Sequence, residues 1–292
     1  MIREIRAKTI VSRVSGIDTY FGLDYGMNLY RGCQHHCIYC DSRSLCYGIE
    51  DFDGEVLIKT NAIDLLRDEL PRKRRKGIIG TGSMHDAYMP AEEKVGLTKR
   101  ALEAIADYGF GVHVVTKSDL VLRDIPLLKR IARYHTAAVS LTITTNDDEL
   151  SKKLEPGAPP SSARFRALKM LSEAGIETRV ALMPSLPFIE DTEGNVVAIV
   201  EKAHRCGVQA IVPWFGMSMR DRQRAHFYEK LDGLFPGLKD RYIETYGDAY
   251  NCPSLSADAL YKRFHELCAE YGIATSVKPS LKPRPEQPGL FD

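Results

Sequence analysis

Three thiols crowd the run Arg31-Gly32-Cys33-Gln34-His35-His36-Cys37-Ile38-Tyr39-Cys40-Asp41, a C-x3-C-x2-C spacing that directly follows an apolar stretch. A structural zinc ion closes its sphere with four ligands, so here it would need Cys46, His35 or His36 as the fourth. A four-iron cluster held by only three thiolates instead leaves one iron open to a small-molecule chelator, which makes the site a reactive centre. The spacing favours the cluster, and a non-catalytic zinc or iron–sulfur module stays open as the alternative. The chain holds seven cysteines, Cys33, Cys37, Cys40, Cys46, Cys206, Cys252 and Cys268. An odd, unevenly spread set belongs to metal binding or catalysis rather than to a disulfide framework.

The elements that must position this loop are legible as an alternation. From about residue 25, β-rich runs alternate with stretches whose apolar residues recur every three or four positions, the pattern of βα units on a parallel sheet. Six strands are predicted: GMNLY ahead of Arg31, GIIGTG at 77–82, GVHVVT ending before Lys117, AAVSLTIT, TRVALMP and QAIVPWF. The helices between them are NAIDLLRDEL with Asn61 as N-cap, EEKVGLTKRALEAIADYG with Gly109 at C′, LVLRDIPLLKRIARY, ARFRALKMLSEAG and NVVAIVEKAHRCG. After Gly216 the alternation stops, and RDRQRAHFYEKLDGLF and ADALYKRFHELCAEYG read as two closing helices. The predicted fold is α/β, a partial (β/α)6 TIM-type barrel with a C-terminal helical extension; an open doubly wound sheet is the competing arrangement. In both, functional groups gather at the C-terminal ends of the strands. The expected segments are 1–24, a barrel over 25–220, packed helices over 221–278 and a tail over 279–292.

Composition narrows the classes further. With 292 residues, 44% apolar and 27% charged, the chain can bury a sizeable core. Forty Lys and Arg balance 39 Asp and Glu, which argues against bulk polyelectrolyte binding while leaving room for a local basic patch. The start MIREIRAKTIV mixes charge into every turn, and no run approaches a membrane span, so a cytoplasmic location and no membrane partner are expected.

The cysteine loop after the first strand of a βα array, with an aromatic residue before the last cysteine, resembles the radical S-adenosylmethionine (SAM) superfamily. GCQHHCIYCDSRS, GSMHDAYMPAEE, TKSDLVLRD, SLTITTNDDELSKKLEP and MPSLPFIED further resemble the spore photoproduct lyase-like family, over roughly residues 24 to 220. The resemblance implies a 4Fe–4S cluster on Cys33, Cys37 and Cys40, whose open iron chelates the amino and carboxylate groups of SAM. It also implies a one-electron cleavage that yields methionine and a hydrogen-abstracting 5′-deoxyadenosyl radical, with a flavodoxin- or ferredoxin-type electron donor. Residue by residue, it places Tyr39 against adenine, Ser83 to Asp86 with His85 near the methionine amino group, and Lys117 on the methionine carboxylate. Ser140 and Thr142 fall on the ribose hydroxyls. DNA carrying a lesion is the substrate class it implies, with a peptide or small metabolite as the alternative.

One departure bears on the reaction. The family's lyases carry a hydrogen-donating cysteine at the end of the second strand, where this chain has Ser83. A serine O–H is too strong a bond for that task, so Cys46 and Cys252 are the candidate donors, while Cys206 and Cys268 read as small buried hydrophobes. Asp86, Tyr88 and Glu92 are candidate substrate or supporting groups, with helix capping the expected role of Glu92. Glu155 and Arg164 read as an ion pair, exposed over the mouth and therefore weak. The basic run Arg72–Lys76 should emerge at the bottom face, whereas Arg220, Arg222 and Arg224 lie on the active face as candidates for an anionic substrate. The tail Gln287-Pro288-Gly289-Leu290-Phe291 is similar to a sliding-clamp binding peptide.

Overall fold

The computed structural model describes residues 1–82 and 84–277. Six parallel strands form its main sheet: Tyr25–Met27, Ile78–Thr81, Gly111–Thr116, Ala137–Thr142, Glu177–Leu182 and Ala210–Pro213. They are hydrogen-bonded in strict chain order, as in the register pairs Gly26↔Gly80, Val114↔Val139 and Leu141↔Val180. That order excludes the doubly wound alternative, in which the chain reverses direction across the sheet at a switch point. Their near-continuous burial, complete for Ala137–Thr142, is what strands covered on both faces require.

The sheet is open among the described residues. One edge carries the antiparallel strand Val11–Arg13, the other ends at Ala210–Pro213 with a single bridge to Ala274, and no ladder joins the two. The mixed α/β class with a parallel sheet therefore stands, and barrel closure is not part of it.

Several boundaries differ from expectation for identifiable reasons. The strand expected over GMNLY ends at Met27; Tyr30–Arg31 pairs instead with Val56–Lys59 in a separate sheet that also holds Ile2–Ile5. The long helix expected before the third strand breaks at Gly96, whose φ of 62° ends Pro90–Val95 and starts Leu97–Asp107. Leu120 to Tyr134 divides into a 3-10 turn over Asp119–Asp124 and a helix over Ile125–Ala132, with Pro126 in its first turn. Asn61 makes no side-chain cap, because its amide is spent on the backbone of Ala7. Helices Asp148–Leu154 and Leu238–Tyr246 add to the expected set, the second lying between the two closing helices Asp221–Leu234 and Ala257–Glu270.

Those closing helices have different tasks. Ala257–Glu270 packs Leu260, Phe264 and Leu267 into the apolar core formed by the last strands and the helix Glu193–Arg205. Asp221–Leu234 reaches the cysteine loop: buried Gln223 donates to the Tyr39 carbonyl at 3.0 Å, and Asp221 accepts from Ser44 Oγ at 2.9 Å.

Candidate functional site

The cysteine loop leaves the strand Tyr30–Arg31 through Gly32, whose φ of 80° and approach to the Glu55 carbonyl leave no room for a Cβ. Three hydrogen bonds then tie the loop to the segment after Asp148–Leu154: Ile38 N to Leu154 O at 2.9 Å, Gly157 N to His35 O at 3.0 Å, and His35 Nδ1 against Gly157 O at 3.0 Å. The approach is so close that a Cβ on Gly157 would stand 2.1 Å from Gln34 O. The cysteine loop is thereby fixed by backbone contacts that involve no sulfur.

Cys33, Cys37 and Cys40 all face one cavity of about 130 Å³, together with His85, Asp86, Thr116, Lys117 and Thr142. Among the described residues no three His, Cys, Asp or Glu side chains converge tightly enough for one metal ion. Three thiols set around a space several waters in size suit a polynuclear cluster better than a lone zinc ion. Burial pushes the Cys33 thiol up to about 12 and raises Cys37 and Cys40 as well. As free thiols they are therefore neutral, and binding iron must displace their protons.

Asp86 organises the wall between the second and third strand ends. Its carboxylate accepts from Thr116 Oγ1 and Lys117 N, each at 2.6 Å, and from Tyr88 N at 2.8 Å, and His35 Nε2 stands 3.0 Å away. Burial would raise Asp86, but His35 and these donors outweigh it and hold the carboxyl well below the usual range. Its oxygens are thus spent on placing Lys117 and the cysteine loop. Next to it, His85 is buried with neither ring nitrogen hydrogen-bonded, and burial brings its pKa down to about 4. A neutral imidazole offers one donor and one acceptor to this cavity.

Lys117 and Tyr39 meet over a buried carboxylate. Lys117 Nζ lies 3.8 Å from Glu155 Oε1 and 5.7 Å from the Tyr39 ring centre, and the Tyr39 hydroxyl donates to the same carboxylate. Burial alone would lower Lys117, yet Cys37 in its ionised form and the facing Glu155 carboxylate raise it above the ordinary lysine value. The expected exposed pair Glu155–Arg164 is instead fully interior, with 2% and 1% of the two side chains accessible. The reason is hydrogen bonding to the interior: Arg164 also donates to Pro159 O and Thr142 O, which holds its guanidinium among buried backbone.

The remaining expected residues divide cleanly. Thr142 lines the cavity, whereas the Ser140 hydroxyl lies in the sheet interior, 2.7 Å from His113 Nε2. Ser83 and the tail 279–292, with its sliding-clamp-like peptide, lie outside the described residues. Neither candidate thiol reaches the cavity wall: Cys46 is exposed beside Arg220, and Cys252 is buried on Asn251–Pro253 with its sulfur toward Ala249 O at 3.6 Å. Arg222 and Arg224 do not wait for an anion, because their guanidinium groups hold backbone carbonyls of Arg43, Glu50, Met219 and Ala249. Arg220 is committed to Asp41 and Tyr250. Glu92 does cap a helix, the next one, through Thr98 N at 3.0 Å, while also pairing with Arg123. The basic run Arg72–Lys76 lies between Ala62–Glu69 and Ile78–Thr81, at the end opposite the cysteines.

Thr116, Gln223 and Glu190 are contributors that sequence reasoning passed over. Glu190 is buried, accepting from Thr144 Oγ1 at 2.5 Å and Leu186 N at 3.0 Å, and burial lifts its pKa from 4.5 to about 8. Between those values the unfolded chain has released a proton that the folded one retains, so the contribution of Glu190 to stability falls as pH rises from about 4.5 to about 8. Because neutral buried histidines such as His85 pull the other way below about 6.5, the check is the difference between wild type and Glu190→Gln: wild type should lose thermal stability relative to the variant as pH rises through that window, and a difference independent of pH would refute the assignment.

The radical SAM superfamily model matches residues 27–203. An uncharacterized protein of Mycobacterium tuberculosis is 30% identical over 262 residues, covering 88% of this chain and 77% of its own. An uncharacterized protein of Methanocaldococcus jannaschii is 37% identical over 174 residues, covering 59% and 64%. Among solved structures, spore photoproduct lyase complexed with dinucleoside spore photoproduct superposes with a TM-score of 0.69 at 16% identity, over 94% of this chain and 81% of that one. The radical SAM methyltransferase TsrM from Kitasatospora setae gives 0.58 at 12% identity, over 87% and 54%.

Proposed function

Because the chain belongs to the radical SAM superfamily, with a 4Fe–4S cluster and SAM as its cofactors, we propose that it is a reductive SAM-cleaving enzyme whose radical abstracts hydrogen from a damaged nucleotide in DNA. The observation that carries the reading is the meeting of Cys33, Cys37, Cys40, His85, Lys117 and Thr142 on one cavity. The cofactor pair supplies one-electron cleavage to methionine and a 5′-deoxyadenosyl radical. The open sheet, wound in one direction with the cavity at its strand ends, is read as a partial barrel around that chemistry.

The chain's own groups bind and orient. Three cysteines hold iron; Lys117, kept charged by its neighbours, pairs with the methionine carboxylate; His85 takes a polar group of the methionine end. Thr142 would serve the ribose and Tyr39 the base, with Tyr39 held from behind by Glu155 and Gln223. Ser140 serves the ribose only if its bond to His113 yields. The DNA assignment draws support from the fold likeness to the lyase bound to a dinucleoside photoproduct.

Anaerobic reconstitution followed by reduction with SAM should give a four-iron spectrum and 5′-deoxyadenosine; absence of either sinks the reading. Lys117→Met should keep the cluster but weaken SAM binding by about 10- to 100-fold, the loss of one buried charge-assisted contact. For the substrate, binding to lesion-bearing duplex should fall steeply with added salt, as phosphate contacts demand. A flat response moves the substrate to a peptide or small metabolite.

A further inference from the structure

On the far side of the cysteine loop from the cavity lies a second concavity of about 380 Å³, lined by His36, Ile38, Arg43, Asp53, Lys152, Lys153, Pro156, His226, Lys230 and Leu234. It shares no lining residue with the thiol cavity. The wall between the two is the loop itself: Ile38 is the neighbour of Cys37 and is hydrogen-bonded to Leu154 O, at the end of the helix that carries Lys152 and Lys153. A substrate seated in the groove is cut off from the cavity by the cysteine loop. An electron is not.

The charge of the groove is one-sided. Four cations, Arg43, Lys152, Lys153 and Lys230, face one carboxylate, Asp53, and Asp53 is already engaged by Arg43 and His36. Lys152 and Lys230 have only exposed partners on their own helices, Glu149 and Glu229, and Lys153 has no ion pair among the described residues. Leu234, Pro156 and buried Ile38 add an apolar part to the same lining. Exposed like charges around a small apolar patch suit a brief, electrostatically steered encounter rather than a permanent interface.

We infer that this groove is the electron-entry face, where an acidic one-electron donor of flavodoxin or ferredoxin type docks against the back of the cysteine loop. The inference rests on the radical SAM reading. In the step it serves, the donor is oxidised by one electron and the cluster is reduced by one, with no atom passing between the proteins. Two features keep the loop rigid for that transfer: His36 holds a positive φ of 51° against Asp53, and Gly157 locks Gln34 and His35 from the other side.

The test compares K152E/K153E/K230E with wild type in two assays. The first is 5′-deoxyadenosine formation driven either by enzymatically reduced flavodoxin or by dithionite. The second is direct binding, by fluorescence anisotropy, of labelled oxidised flavodoxin and of a labelled DNA duplex. Docking here predicts about a tenfold or greater loss with flavodoxin, no more than about a twofold change with dithionite, and weaker flavodoxin binding that salt also weakens. The neutral variant K152Q/K153Q/K230Q should fall in between, and R74E/R75E, at the opposite end, should leave all readouts unchanged. Equal losses with both reductants, unchanged flavodoxin binding, or loss confined to DNA binding would each overturn the inference. A wild type that binds flavodoxin at this face yet makes no 5′-deoxyadenosine with dithionite would overturn the functional reading instead.

Discussion

Cys37→Ala is expected to reduce iron loading to background and 5′-deoxyadenosine formation to the uncatalysed level, while leaving the far-ultraviolet circular dichroism of the protein unchanged. Cys37 is the most enclosed of the three thiols and faces Lys117 across the cavity. Two thiolates cannot retain a cluster that already relies on a non-protein group for its fourth iron. The fold should survive because the loop is held by contacts that do not involve sulfur, through Leu154, Gly157 and Gln223. The loss itself removes only one small buried group, a cost of about 1–2 kcal/mol. Measuring iron and sulfide by chemical assay, product by chromatography and unfolding by denaturant separates these effects. Retention of a full cluster would assign the thiols another role, and collapse of the fold would mean that Cys37 is chiefly a packing residue.

The three cysteines were legible as one group because their signal is local: three thiols within one turn-rich loop need no tertiary context, and all three line one cavity. The six parallel strands were legible for a similar reason, since strands buried on both faces read as largely apolar runs such as Ala137–Thr142, broken only by Ser140 and Thr142. Lys117 was suggested by the family resemblance and Thr142 by the two-residue period of its strand, and both side chains line the cavity. What sequence could not show was competition for a side chain. Ser140 has the right strand and the right parity, yet His113 on the neighbouring strand takes its hydroxyl. Arg222 and Arg224 look free along the chain, but the turns they brace lie elsewhere in it, at Arg43, Glu50 and Ala249. Burial of a charged pair is likewise a tertiary fact. Nothing in the spacing of Glu155 and Arg164 distinguishes a solvated pair from an interior one, although the two differ several-fold in energetic consequence.

That interior pair carries the second large effect: Arg164→Leu should destabilise the protein by about 3–5 kcal/mol, the cost of stranding one buried charge. Arg164 answers Glu155 and two backbone carbonyls, Pro159 O and Thr142 O, so leucine fills the volume while leaving three acceptors short of a donor. Burial by itself would raise Glu155, but Arg164 and Lys117 together hold it down. With Arg164 gone, the carboxylate must lean on Lys117 or take up a proton. Either response reaches the cavity, because Glu155 also receives the Tyr39 hydroxyl, and the adjoining residues Leu154 and Gly157 anchor the cysteine loop. Iron retention during gel filtration should therefore fall alongside stability. The double change Arg164→Leu with Glu155→Gln removes both charges, keeps an acceptor for Tyr39, and should cost clearly less than the sum of the single changes. Additive losses in urea unfolding would show that the two residues do not act as a pair. A normal SAM affinity in the destabilised single variant would show that the pair supports the fold without positioning Lys117.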